Sequence, residues 1–179
     1  MYDMIAQAIG IIAMVFIIFS FQGKTSNRVI LFQTLGGILF SINFFMLGAI
    51  VGGILNAVAA IRGILFMQRK RLHTEHIAWT VGFLCVYAAS YVLTFTAFGT
   101  AFTLRSGILE LLPVLGMTAS HIGFVKDDAA AIRRYGLVSS PAWLIYNVIN
   151  AAIGAIICET LSLVSIFIGM YRHDRKTQD

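Results

Sequence analysis

The groups in this sequence with the capacity for chemistry are polar side chains set into apolar runs. Glu159 stands in the run 152–171 and Asn56 in the run 49–68. An ionised carboxylate in hydrocarbon is costly unless paired, and a carboxyl kept neutral there is a ready proton carrier. Both residues fall in stripes of small side chains: Gly48, Gly52, Asn56, Ala60 and Gly63 in one run, and Ala152, Ala155, Glu159, Ser162 and Gly169 in the other. Residues three and four apart share one helix face, where small side chains let another helix approach. The stripes predict that Asn56 and Glu159 face each other across one central cavity. The plainer alternative is a buried hydrogen-bond partnership that only fixes helix packing.

Other polar groups surround this pair. Arg62, six residues beyond Asn56, has three expected dispositions: snorkelling to the membrane surface, an ion pair with Glu159, or a pair with Glu110. Glu110 is expected to pair with Arg105 near water. Asn43, Trp143, Tyr146, Asn147 and Asn150 cluster in two further runs. An indole and a phenol flanked by amides suit an uncharged polyol, because ring faces stack and amides hydrogen-bond. Interfacial packing explains the same rings. With Asn56 and Glu159, residues Asn43, Trp143, Tyr146 and Asn147 form the expected solute-binding set. His121 is expected to sit at the membrane interface.

Covalent catalysis finds no support. There is no HExxH, no CxxC, no Gly-rich phosphate loop with its lysine, and no convergent Ser, His and Asp. His73, His76, His121 and His173 lack acidic or thiol company for a metal. The sequence predicts no catalytic residue, no metal, no cofactor and no enzyme activity.

The elements that must position these residues are membrane helices. Of 179 residues, 59% are apolar or aromatic and 12% charged, with a mean hydropathy of +0.86, outside the range of water-soluble domains. About 20 apolar residues in a helix cross the hydrocarbon of a bilayer. Seven such runs nearly fill the chain, at 5–22, 29–47, 49–68, 77–98, 106–124, 132–150 and 152–171. The first lacks a basic leader and a small-x-small cleavage site, so it is expected to persist in the mature protein. Cys85 and Cys158 fall inside runs and read as buried thiols. The longest polar stretch, 68–76, is too short for a soluble core.

With seven crossings, alternate loops share a face. Eleven of the thirteen Lys and Arg residues then fall on one side, in the clusters Lys24 and Arg28, Arg69 to Arg71, Lys126 to Arg134, and Arg172 to Lys176. Arg105 alone falls on the other side, and Arg62 lies within a run. Cytoplasmic loops carry the basic excess, so the N-terminus is expected outside and the C-terminus inside. The net charge of +5 follows from this anchoring and not from nucleic-acid binding, since no basic run interleaves with aromatics.

A shift of 103 aligns the second and third runs with the sixth and seventh. Phe40 falls on Trp143, Ile54 on Ile157, Asn56 on Glu159, Met67 on Met170 and Arg69 on Arg172. The first run meets the fifth at a shift of 100, with Ser20 on Ser120. The expected fold is an all-α polytopic membrane protein, a single membrane domain over 1–179. It comprises a three-helix bundle (1–71), a linker helix (72–104) and a second, parallel bundle (105–179).

This layout resembles that of the sugar-transporting SWEET family and the wider PQ-loop superfamily. The segment Pro141-Ala142-Trp143-Leu144-Ile145-Tyr146-Asn147, followed by Glu159, is similar to their aromatic-rich sixth helix and polar seventh-helix site. Phe21-Gln22 and His121-Ile122 replace the Pro-Gln dipeptides, and only Pro113 and Pro141 can stand for the four hinge prolines. Over its whole length the chain resembles the YgjV family of bacterial inner-membrane proteins. These resemblances imply a multi-pass protein of the bacterial cytoplasmic membrane that carries a small polar solute by alternating access. The competing expectation is a receptor or scaffold without transport. The bilayer and the solute are the expected partners, and the sequence leaves self-association open.

Overall fold

The structure, a computed structural model, describes residues 2–46, 50–97, 101–149 and 153–174. Within them the chain is helical: α1 Tyr2–Ser20, α2 Ser26–Met46, α3 Ile50–Met67, the single turn α4 Arg69–Leu72, α5 Ile77–Thr96, α6 Leu104–Val125, α7 Ala129–Ile149 and α8 Ile153–Gly169. A π-helical turn, Met170–Asp174, continues α8. The seven expected runs coincide with α1 to α3 and α5 to α8 to within three residues at every end. The turn α4 was not expected. Gly48, Ala49, Asn150, Ala152, Arg175 and Lys176 lie outside the described residues.

Polar caps set several helix ends. Asp128 accepts from the backbone N–H groups of Ala130 and Ala131 (3.1 and 2.9 Å) and starts α7. Thr103 and Ser106 form a reciprocal capping box at α6. His76 accepts from Ala78 N–H at the start of α5. These caps satisfy amide donors that no helix can satisfy internally at its own N-terminus.

Four helical segments, Ser26–Met46, Ile77–Thr96, Leu104–Val125 and Gly154–Asp174, are long and apolar enough to cross a membrane. Among the described residues, Ile5–Ser20 and Gly53–Met67 are apolar but shorter. Helix α7 is absent from both groups although it has 21 residues. Most of its polarity is internal: Arg133, Ser139, Ser140 and Asn147 are buried, while Arg134 near its start is exposed. The molecule as a whole is arranged in the same inverted sense. Ile11, Phe19, Ile61, Leu115, Val138 and Phe167 are exposed while Thr34, Ser41, Asn43, Arg62 and Ser162 are buried. Hydrocarbon tolerates such an exterior, and backbone and side-chain polar groups must find partners inside.

Helix α2 packs against both α1 and α3, α7 packs against both α6 and α8, and α5 lies on α6. The two groups meet through α1 on α8, α2 on α7 and α3 on α6. Missing side chains allow the close approaches: a Cβ on Gly63 would collide with the Thr34 hydroxyl of α2, and one on Gly37 would touch the Asn56 carbonyl at 3.5 Å. Ala60 and Gly63 of the α3 stripe therefore seat α3 on α2, while Asn56 of the same stripe lines a central cavity. The apolar core gathers at the end bearing the basic loops, with Val29, Ile30, Phe66, Phe83, Phe124 and Ile132 packed together.

Candidate functional site

Above that core lies a cavity of about 850 Å³. Its wall takes residues from α1 to α3 and α5 to α8. It runs from Gln7 and Gly154, at the end away from the basic loops, down to Phe21, Phe124 and Ile132. Every residue of the expected solute-binding set lines it: Asn43, Asn56, Trp143, Tyr146, Asn147 and Glu159. Arg62 and Glu110 line it too.

Helix starts explain the depths. Asn56, Glu110 and Glu159 each sit six residues after the first residue of their helices, Ile50, Leu104 and Ile153. Two carboxylates and an amide thus occupy one level of the cavity, about 9 Å below the helix ends at 1.5 Å rise per residue. Arg62 stands six residues further along α3, another 9 Å or so toward the basic end.

Several of these polar groups have identified company. Asn43 donates to the Ala6 carbonyl of α1 at 2.7 Å, so its amide braces α1 on α2 as well as lining the cavity. The Ser140 hydroxyl of α7 lies near the Glu159 carboxyl group, and both line the cavity. Glu110 accepts from the Tyr146 hydroxyl at a long 3.5 Å. Trp143 meets Tyr146 edge to face, with centroids 6.0 Å apart, and Gly116 makes room for its indole, since a Cβ there would stand 2.7 Å from the ring. Asn147 is buried. Pro113 lines the cavity and Pro141 lies next to Ser140, and each removes a backbone donor from the middle of α6 or α7.

Three expectations about charges and rings are corrected. Arg62 neither snorkels nor pairs with Glu159 or Glu110; it is 4% exposed and donates to the Tyr87 hydroxyl (3.0 Å) and the Met117 carbonyl (3.1 Å). Its guanidinium stands 4.7 Å over the Phe124 ring, because the Arg62 face of α3 meets α5 and α6. Glu110 turns to the cavity and makes no ion pair with Arg105 among the described residues. His121 is fully buried, not interfacial. Its Nε2 lies 3.3 Å from the Thr80 hydroxyl, and the rings of Phe66, Phe83 and Tyr87 enclose it.

Sequence reasoning also missed what closes the basic end. Arg133 of α7 is 2% exposed, donates from Nη1 to the Gly23 carbonyl (2.8 Å) and the Phe21 carbonyl (3.3 Å), and grips Asp174 with Nε and Nη2. Arg69, just past α3, donates to the Phe124 carbonyl and pairs with Asp127 at 3.1 Å. Gln22 adds bonds to Ser165 Oγ and its carbonyl (2.9 and 2.7 Å). Loop arginines read as solvated anchors, and no sequence pattern marked this clamp.

Over residues 4–177 the chain matches the Imp-YgjV family model, described as bacterial inner membrane protein. No curated protein and no solved structure matches it.

Proposed function

The chain belongs to the Imp-YgjV family of bacterial inner membrane proteins, and from that premise we propose that it carries a small polar solute across the membrane through the cavity between its two helix groups. The observation that carries this reading is the cavity itself. Asn43, Asn56, Glu110, Trp143, Asn147 and Glu159 meet in it from both helix groups. Packing alone needs no such space, and polar groups kept around a void in a membrane protein are costly unless they serve a solute.

On this reading the chain crosses seven times, as two parallel three-helix bundles with α5 as linker. Helices α1 and α3, at 19 and 18 residues, are about 27–29 Å long and match a hydrocarbon core of about 30 Å. Arg133, Ser139, Ser140 and Asn147 of α7 are buried and the exposed Arg134 lies near its basic end, so they do not bar it from the bilayer. The contacts α1 on α8, α2 on α7 and α3 on α6 exchange into one another when the bundles are exchanged, which fits a two-fold axis along the membrane normal. The basic end faces the cytoplasm. Arg133, Arg69 and the aromatic core close that end, and solute enters from outside. Parting those contacts while the outer ends approach would deliver it inward.

Reconstitution into proteoliposomes tests the proposal. Uptake of a small polar solute that Asn56→Ala or Glu159→Gln abolishes, with folding retained, is the expected result. Binding without uptake would make the protein a receptor, and neither would leave the polar groups as packing elements.

A further inference from the structure

Glu110 is a carboxylate that the fold leaves without a counter-charge. It stands on α6, partly buried, and lines the cavity. The ion pairs among the described residues join other groups. Its hydrogen-bond partner among them is the Tyr146 hydroxyl, which donates at 3.5 Å, the outer limit of such a bond. Glu159, at the same level on α8, has no ion pair among them either. The cation in the cavity lining, Arg62, is held at the basic end by Tyr87, the Met117 carbonyl and the Phe124 ring. A carboxylate withdrawn from water without a partner is costly. The wall at Glu110 therefore has a place for positive charge that the chain itself does not fill.

The neighbours of Glu110 suit a cation with an organic body. Tyr146 and Trp143 of α7 meet edge to face with centroids 6.0 Å apart, and both line the cavity. A cation on the Glu110 carboxylate lies beside the Tyr146 ring. Trp143 follows one turn deeper, about 4.5 Å by helical rise, inside the range of about 6 Å over which a ring face attracts a cation. Tyr91 of α5 also lines the cavity and donates to the Gly107 carbonyl, one turn from Glu110, at 3.2 Å. Asn147, next to Tyr146, is 8% exposed, lines the same cavity and makes no hydrogen bond among the described residues. A buried amide normally has a partner, so this one is left for a ligand. A bare metal ion would use the carboxylate and leave the rings idle, an anion would meet two like charges, and a sugar would leave Glu110 uncompensated.

We infer that the cavity takes a small organic cation whose ammonium group is held by Glu110 beside the Tyr146 and Trp143 rings. The inference rests on the transport reading above and adds to it a substrate class and a binding residue, Glu110. Glu159 at the same level strengthens the negative potential that draws a cation in.

The test uses the full chain in detergent. The probes are choline and butylammonium, each set against an uncharged isostere, 3,3-dimethylbutan-1-ol and butan-1-ol. Potassium chloride at equal ionic strength and glucose are the controls. Thermal stabilisation reports binding, because a ligand held only by the folded form raises the melting temperature. At least one ammonium probe should bind about tenfold or more tightly than its isostere, the loss expected for one missing charge-assisted contact. Glu110→Gln should remove that preference, and Trp143→Leu should weaken the ammonium probe about threefold or more. Should Glu110→Gln not fold, the isostere comparison on the unaltered chain still decides whether the site reads charge. A preference that survives in a folded Glu110→Gln variant would overturn the assignment. Failure of both ammonium probes, equal binding of the isosteres, or potassium matching the ammonium probes would overturn it as well. Glucose entering proteoliposomes in those cases would leave transport standing. An ammonium probe that binds but does not enter would confirm the site and refute transport.

Discussion

The clamp formed by Arg133 is the contact whose removal should be felt most. Its guanidinium makes a forked pair with Asp174 and reaches two carbonyls of the α1–α2 turn, Phe21 and Gly23, across the boundary between the two helix groups. Arg133 is 2% exposed and the Asp174 side chain 18%, so the pair is largely desolvated. Removing one partner of a buried pair costs about 3–5 kcal/mol, because the other charge is left uncompensated. Partial access of Asp174 to water places Arg133→Ala toward the lower part of that range, near 3 kcal/mol. Asp174→Ala leaves the more deeply buried Arg133 guanidinium without its counter-charge and should cost about 3–5 kcal/mol. The measurement is a double-mutant cycle on unfolding of the purified protein in detergent. Contacting residues should show a coupling of about 1 kcal/mol or more, whereas independent sites add within about 0.5 kcal/mol. Arg133→Lys should restore only part of the loss, since a lysine cannot make the fork. Strict additivity of the two single variants would refute the clamp, and with it the reasoning that the basic end is held shut.

Further outcomes follow from individual contacts. Gly63→Ala places a Cβ against the Thr34 hydroxyl between α2 and α3, and overpacking of this kind should cost about 1–3 kcal/mol in the same unfolding measurement; an unchanged midpoint would show that the helices do not approach so closely. His121→Ala empties a fully buried ring site among Phe66, Phe83 and Tyr87 and should destabilise by about 2–5 kcal/mol, with His121→Phe recovering most of it; equal loss in both variants would assign the effect to the Thr80 contact instead. A reporter fused after Asp179 should read cytoplasm and one inserted within 99–104 should read outside, and the reverse at either site would end the seven-crossing model. Glu159→Gln should preserve folding and abolish uptake, because an amide keeps the hydrogen-bonding shape but takes no charge; unchanged uptake at every pH would remove the reason for naming Glu159.

Sequence alone settled where the helices lie, because burial in hydrocarbon demands long apolar runs whose ends are punctuated by charges and caps such as Asp128 and Thr103. It also singled out Asn43, Asn56, Trp143, Tyr146, Asn147 and Glu159, since a polar group inside such a run must find an interior, and the cavity lining holds all six. Partners were another matter. Helical spacing tells which residues share a face but not which helix that face meets, so Ala60 and Gly63 of the α3 stripe proved to seat it on α2 while Asn56 lines the cavity, and Arg62 reached Tyr87, Met117 and Phe124 in place of Glu159. Glu110, His121 and Arg133 looked like residues of the membrane surface because each stands near a helix end. Their burial depends on what neighbouring helices cover, with α7 and α8 folding over the α1–α2 turn at Arg133 and α3 and α5 closing on His121. That covering is a property of the packed bundle, set by contacts between residues more than a hundred positions apart in the case of Arg133 and Gly23, and no local pattern encodes it.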